Sequence, residues 1–307
     1  MNSADHDFQV RLAAFEFLST QLQLRGEVLP SATLAQGFLF EGMRVPLISP
    51  QGIFKPRILP EMPLSIRTAA VVEGQPPPYE DGFEDSGLLI YRYRGTDPSH
   101  RDNIGLRIAM SRRVPLIYFF GTAPGQYMPV WPVYIVGDDE KALCFSVAVD
   151  DRQIARIQAT PSEEIVTEAR RAYITTLTRQ RLHQQTFRQR VLRAYRESCA
   201  ICRLRHNELL EAAHILPDTH PLGEPTVTNG LALCKLHHAA FDRHILGIRQ
   251  DLIVDIRLDI LEEEDGPMLR HGLQGFQGEK ILVPRADSLR PNPDYLAERY
   301  ELFRKAG

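Results

Sequence analysis

Residues 199–242 concentrate the side chains able to do chemistry. The stretch CAICRLRHNELLEAAHILPDTHPLGEPTVTNGLALCKLHHAAFD holds three of the four cysteines and five of the ten histidines. Cys199-x2-Cys202 and Cys234-x2-His237 are two knuckles at matched spacing, with 31 residues between them, enough for a hairpin to go out and return. Zn²⁺ takes four N or S ligands in a tetrahedron, so this pattern points to a structural zinc clamp. In a small domain with a thin core such a site contributes folding energy on the order of 10 kcal/mol. His238, next in sequence, is the alternative fourth ligand. A second set is interleaved with the first: His214, Asn229, His238 and Asp242. His238 and Asp242 are four apart on an expected helix and share a face. A histidine that titrates near neutrality suits proton transfer, and a His/Asp pair suits a divalent ion. These are the parts needed to hydrolyse a phosphodiester. Each residue alone has a plainer reading: His214 a core histidine, Asn229-Gly230 a turn, Asp242 a surface acid. The constellation favours the chemistry.

The elements that must position these residues follow from periodicity. Residues 7–24 have helical apolar spacing. From about Leu34, short runs rich in Val, Ile, Tyr and Phe are broken by Gly and Pro: residues 37–57, MPLSIRTAAVV, GLLIYRY, VPLIYFFG and WPVYIVGDDEKALCFSVAV. They predict strands, with a hairpin-type turn at 137–141 and a short helix near 102–112. The first domain, ending near Val149, is therefore mostly β, a curved or closed sheet. Pro161-Ser162-Glu163-Glu164 predicts a helix start, with helix continuing to about Tyr195 and a break near 180–186. Residues 152–205 carry 12 Arg and no Lys against four Glu and no Asp. This local excess, hidden by the overall net charge of −3, is a candidate phosphate footprint; a solvated helix face is the plainer alternative. After Asp242 come a strand-like stretch at 247–258, then residues 272–284, then a helix near 293–304.

LEAAHILP, TNGLALC and HHAAFD resemble the HNH endonuclease family, which has the ββα-metal fold, over about 187–250. The resemblance implies a β-hairpin carrying His214 as general base and an Asn229 that holds the base and its loop in place. It also implies a helix carrying His238 and Asp242 as ligands of a catalytic Mg²⁺ or Mn²⁺. Many members have Asp or His just before the base; here Ala213 stands there. That leaves two protein ligands, with water and phosphate completing the shell, or help from Glu211.

Residues 79–117 resemble the SRA (YDG) domain, a PUA-like β-barrel that flips out modified cytosine. The matching positions are Tyr79, Asp81, Gly87, Tyr93, Gly95, Asp102-Asn103, Leu106 and Pro115. A flipped base needs aromatic faces and an acceptor for its amino group. Tyr79 and Tyr93 are the candidate stacking residues and Asp81 the acceptor, with Asp85 as its alternative; Tyr93 fits a barrel-wall residue equally well. Tyr127 and Trp131, in a Pro/Gly-rich stretch expected to be a loop, are alternative stacking residues.

The expected architecture is α+β: an N-terminal SRA/PUA-like barrel with helices (1–150), an Arg-rich helical connector (151–186) and a zinc-stabilised HNH domain with a C-terminal extension (187–307). A composition of 43% hydrophobic and 24% charged residues is that of a soluble protein. No apolar run reaches membrane-spanning length, the acidic, polar N-terminus is no secretory signal, and a single CxxC pair suits a reducing cytoplasm. The expected activity is a modification-dependent DNA endonuclease acting near 5-methyl- or 5-hydroxymethylcytosine in double-stranded DNA. The protein is expected to work as a homodimer, since one HNH site cuts one strand. The rival readings are an HNH nuclease whose barrel reads unmodified DNA, another modification or RNA; a zinc module that only binds nucleic acid; and a homing or colicin-like nuclease.

Overall fold

The computed structural model describes residues 3–70, 88–149, 178, 181–264 and 266–306, divided into two compact units, Met1–Leu182 and His183–Gly307. The Ser162 helix start, the arginines at 152–171, Tyr79, Asp81, Asp85 and Gly87 lie outside the described residues. Among the described residues no helix is long and apolar enough to cross a membrane.

The first unit begins with α1 (Ser3–Arg25), then β1 (Leu29–Pro30), α2 (Ser31–Gln36) and the hairpin β2 (Phe38–Phe40)–β3 (Met43–Val45). Then come β4 (Ile53–Phe54), β5 (Ser65–Arg67), β6 (Leu89–Arg92), α3 (Arg101–Ser111), β7 (Leu116–Ala123), β8 (Gln126–Asp139) and β9 (Cys144–Val149). Seven strands make one sheet in the order β4-β5-β7-β8-β9-β6, with β1 also paired to β8. β5 and β7 run parallel and the other neighbours antiparallel. Among the described residues the sheet is an open half-barrel, with β4 and β6 at its edges.

Successive residues of a strand point to opposite faces, and β7 shows why these runs are wholly apolar. Leu116 and Tyr118 join a core with Leu106 and Ala109 of α3, while Ile117 and Phe119 join a second core with Val10, Ala14 and Leu18 of α1. A sheet covered on both faces has no polar side to alternate with. The Pro/Gly-rich stretch is not a loop. Pro124 and Gly125 alone make the turn, and Tyr127 and Trp131 are buried in β8. Pro132, which has no N–H to donate, falls in a register shift opposite Leu116–Tyr118, where a bulge tolerates it.

The second unit is entered through α4 (181–194), so no break falls within 181–186. It continues through β10 (Leu210–His214), β11 (Gly230–Cys234), α5 (Lys235–Asp242), the hairpin β12 (Leu246–Ile248)–β13 (Val254–Ile256), α6 (Leu258–Glu262), α7 (Pro267–Gly272) and α8 (Pro293–Ala306). β10 and β11 are antiparallel, from Leu210↔Cys234 to His214↔Gly230. With α5 they form the expected β-β-α unit. α4 lies against the hairpin, with Phe187, Val191 and Tyr195 in the core. Gly230 permits that approach: a Cβ there would meet Val191 Cγ2 at 2.4 Å and the Phe187 ring at 3.0 Å.

Candidate nuclease and metal sites

The chain returns to one place at the junction of β11 and α5. Cys199 and Cys202 lie in a tight knuckle: the Cys199 N–H donates to Leu204 O at 2.9 Å, and Arg203 N–H donates to Cys199 O at 3.0 Å. Cys234 precedes α5 and His237 occupies its first turn. One ligand atom from each of these four residues lies within 4.8 Å of the others. Cys202 and Cys234 sulfurs are 3.8 Å apart, and His237 Nδ1 is 3.2 Å from Cys234 Sγ and 3.5 Å from Cys199 Sγ. A tetrahedron with zinc–sulfur bonds of about 2.3 Å has edges of about 3.8 Å, so the donors fit that ion. Hydrogen bonding from Cys202, then Cys234, pulls the Cys199 thiol down to about 2, while the Cys199 interaction pushes Cys202 up. All three sulfurs could be thiolates together only around a cation. His237 Nε2 faces the Gly272 carbonyl of α7 at 2.9 Å, and Phe276 meets its ring edge-on at 5.1 Å. Such a partner fixes a ligand histidine's tautomer and orientation.

His238 is turned to other partners. Its Nδ1 is 2.6 Å from Glu211 Oε2 on β10, and its Nε2 is 3.3 Å from Asp242 Oδ2 one turn along α5. Two donors that share one ion at about 2.1 Å stand about 3 Å apart when adjacent, so His238 and Asp242 fit a small divalent ion. Hydrogen bonding to Asp242, then to Glu211, raises the His238 pKa against the opposing effect of burial, and the His238 interaction lowers that of Asp242. Ala213 is fully buried in the core, and Glu211 of the same strand supplies the acid that faces this cluster.

His214 closes β10. Its ring stacks on Phe187 of α4, with centroids 4.0 Å apart and planes 15° off parallel. Nε2 is buried without a hydrogen-bond partner; Asp218 Oδ1 lies 3.0 Å away, off the bonding direction, and acts through its charge. Nδ1 is therefore the nitrogen left to exchange a proton. Burial lowers the His214 pKa, and this outweighs the rise due to Asp218. The charges of His238 and Asp242 also reach it. The ring is thus held neutral near pH 7, the form a general base needs.

Asn229 is fully buried. Its Oδ1 accepts from Leu216 N–H at 2.9 Å, and its Nδ2 donates to Leu216 O at 3.0 Å and Glu224 O at 3.1 Å. Its backbone carbonyl accepts from Ile215 N–H at 3.0 Å. The loop leaving His214 is pinned at both ends by this one residue.

The HNH endonuclease family model matches residues 199–249. An HNH endonuclease domain occupies that segment. The match takes in both metal-type clusters, His214 and Asn229 of the HNH domain, but not Phe187 or α8. No curated protein matches the chain. Among solved structures, a modification-dependent TagI restriction endonuclease is similar over 92% of this chain and 89% of its own, at 16% identity and a TM-score of 0.31.

Of Tyr79, Asp81, Asp85 and Tyr93, only Tyr93 has a described side chain. It is 3% exposed, with Phe145 4.6 Å from its ring and the Arg107 guanidinium 5.4 Å away on the ring face. Its hydroxyl donates to Asp138 and accepts from Arg107, and burial first, then Asp138, pushes its pKa up to about 12. Asn103, of the Asp102-Asn103 pair, is also buried. It ties Arg94 N–H, Arg94 O and Asp97 O into one loop. Within the arginine-rich stretch 152–205, Arg188 donates to Asn207 O and Leu210 O, so it secures α4 to β10. Three contributors have no motif in the sequence: Phe187, Asp218 and Arg299. Asp218 alone left a trace there, as an acid four residues after His214.

Proposed function

We propose that the protein is a DNA endonuclease whose HNH domain hydrolyses phosphodiesters near a modified cytosine, 5-methyl or 5-hydroxymethyl, in double-stranded DNA. The observation that carries the nuclease reading is the junction itself: a neutral, stacked His214 beside a His238–Asp242 pair on a β-β-α scaffold within the matched segment. His214 takes the proton of the attacking water through Nδ1, with Phe187 fixing the ring by stacking and the Asp218 charge beside Nε2. Asn229 keeps the loop that carries Asp218 in place. His238 and Asp242 hold Mg²⁺ or Mn²⁺, and Glu211 fixes the His238 ring so that Nε2 stays turned to Asp242. The ion, when bound, polarises the phosphoryl oxygen and stabilises charge on the leaving oxygen. Cys199, Cys202, Cys234 and His237 hold structural zinc. One such site cuts one strand, so a double-strand break takes two copies of the chain or two passes.

The modified-base part rests on the sequence resemblance of residues 79–117, with Tyr79, Tyr93 and Asp81 in the reading role and the connector arginines on phosphates. The enclosed Tyr93 favours a second reading, in which the first unit reads DNA by other residues and for another feature. Both are tested by digesting matched plain, 5-methylated and 5-hydroxymethylated DNA with Mg²⁺, Mn²⁺ or EDTA. The first reading expects ion-dependent cutting of modified DNA alone. Equal cutting of all three substrates leaves the nuclease and removes the modified-base reader. No cutting of any substrate with either ion removes the nuclease.

A further inference from the structure

Arg299 stands on α8, beyond the segment matched by the HNH family, yet its side chain ends at the metal-binding face. Nη2 donates to the Phe241 carbonyl at 3.2 Å and lies 3.6 Å from Asp242 Oδ1; the guanidinium carbon sits 4.8 Å from the Phe241 ring centroid. The side chain is 13% exposed, and Nε is buried with no hydrogen-bond partner. The helix that delivers it is itself anchored. Asn292 N–H donates to Thr228 O at 2.9 Å, and Glu298 Oε1 lies 3.0 Å from His220 Nε2 in the loop between β10 and β11.

We propose that Arg299 is a positioning residue for Asp242: it engages Oδ1 and leaves Oδ2 turned to His238 Nε2. This rests on the nuclease reading above. Asp242 is the last residue of α5 and its side chain is half exposed, so its carboxylate would otherwise swing towards solvent. The Phe241 carbonyl lies at the C-terminal end of α5, where it also accepts from His244 N–H at 3.2 Å, and a cation is favoured there. The ring, the carbonyl and the carboxylate together fix the guanidinium plane. Glu211 and Asp242 both bring negative charge to this face. Arg299 offsets part of that charge without occupying Oδ2. A guanidinium does this and an ammonium does not, because a point charge cannot stack, bond the carbonyl and reach the carboxylate together.

The test is Mn²⁺ binding to the zinc-loaded full chain, followed by the electron paramagnetic resonance signal of free Mn²⁺, without DNA. R299Q and R299K are compared with wild type and with E301Q, an exposed change on the same helix. Residues that orient a metal ligand typically cost about 10–100-fold in affinity when changed. The expected result is a Kd raised about 10-fold or more in both Arg299 variants, with zinc content, thermal midpoint and E301Q as in wild type. R299K keeps the charge and the aliphatic stem, so it remains informative if R299Q does not fold. A folded R299K or R299Q that binds Mn²⁺ within about two-fold of wild type overturns the proposal and leaves the nuclease reading intact. A wild-type protein that takes up no Mn²⁺ at all removes both.

Discussion

The Cys199–Cys202–Cys234–His237 cluster and the His238–Asp242–Glu211 cluster differ in enclosure as well as in residue type. The Cys199, Cys202, Cys234 and His237 set is almost wholly buried and backed by a carbonyl. The His238, Asp242 and Glu211 set lies one residue away along α5, with side chains 23%, 54% and 40% exposed. A closed, sulfur-rich shell fixes a shape; an open shell of one imidazole and carboxylates leaves positions for water and a phosphate. On the proposed reading, neighbouring residues of one helix turn take opposite assignments.

That contrast predicts a graded set of losses. Cys234→Ser removes a ligand of the closed set. Zinc binding on the order of 10 kcal/mol matches a whole domain's stability, so zinc content and the circular dichroism of the second unit should both collapse. A variant that kept its fold without zinc would erase the distinction. His214→Ala removes the candidate base beside the open set and should leave zinc, fold and DNA binding unchanged. Its cleavage should fall by about 10²–10⁴-fold, the usual worth of a general base; cleavage near the wild-type rate would move the base elsewhere. Asn229→Ala strands the Leu216 N–H, the Leu216 carbonyl and the Glu224 carbonyl. It should cost about 3 kcal/mol in denaturant unfolding and lower cleavage with it.

Smaller effects sharpen the same contrast. Glu211→Gln should raise the Mg²⁺ or Mn²⁺ concentration for half-maximal cleavage by about 10-fold with zinc content constant. An unchanged ion requirement would separate Glu211 from the open set. The last effect is on pH. Burial places the His214 pKa below its ordinary value, and the base works unprotonated. At saturating ion, cleavage should hold level down through about pH 6.5, the ordinary histidine value, and fall below it. An acid limb centred above that value contradicts a desolvated His214.

Local spacing made much of this site legible. Two x2 knuckles, His238 and Asp242 one turn apart, and an Asn-Gly before an apolar strand are patterns within a few residues, and the structure brings them together. Which of His237 and His238 joins the cysteines was open in sequence; the gathered ligand atoms and the Glu211 contact separate them. Phe187 and Arg299 were not legible, because each reaches the site only through packing: one by α4 closing on Gly230, the other by α8 docking on the loop. In the first unit, prolines and glycines suggested a loop where β8 runs, since β7, β9 and the two cores override local breakers. Tyr93 reads as an exposed stacking residue or a wall residue from sequence alone, and its enclosure by Phe145 and Arg107 comes from strand pairing.

The adjacency of His237 and His238 sets what changes of length this segment tolerates. An α-helix turns about 100° per residue, so deleting one residue between Cys234 and His237 would carry His238 towards the sulfurs and His237 away from them. Asp242 and the rest of α5 would rotate with them, so His238 could replace His237 beside the sulfurs only by leaving Asp242 and Glu211 without their histidine. Side chains between Cys234 and Asp242 can therefore be exchanged with graded effect, but the number of residues there is fixed.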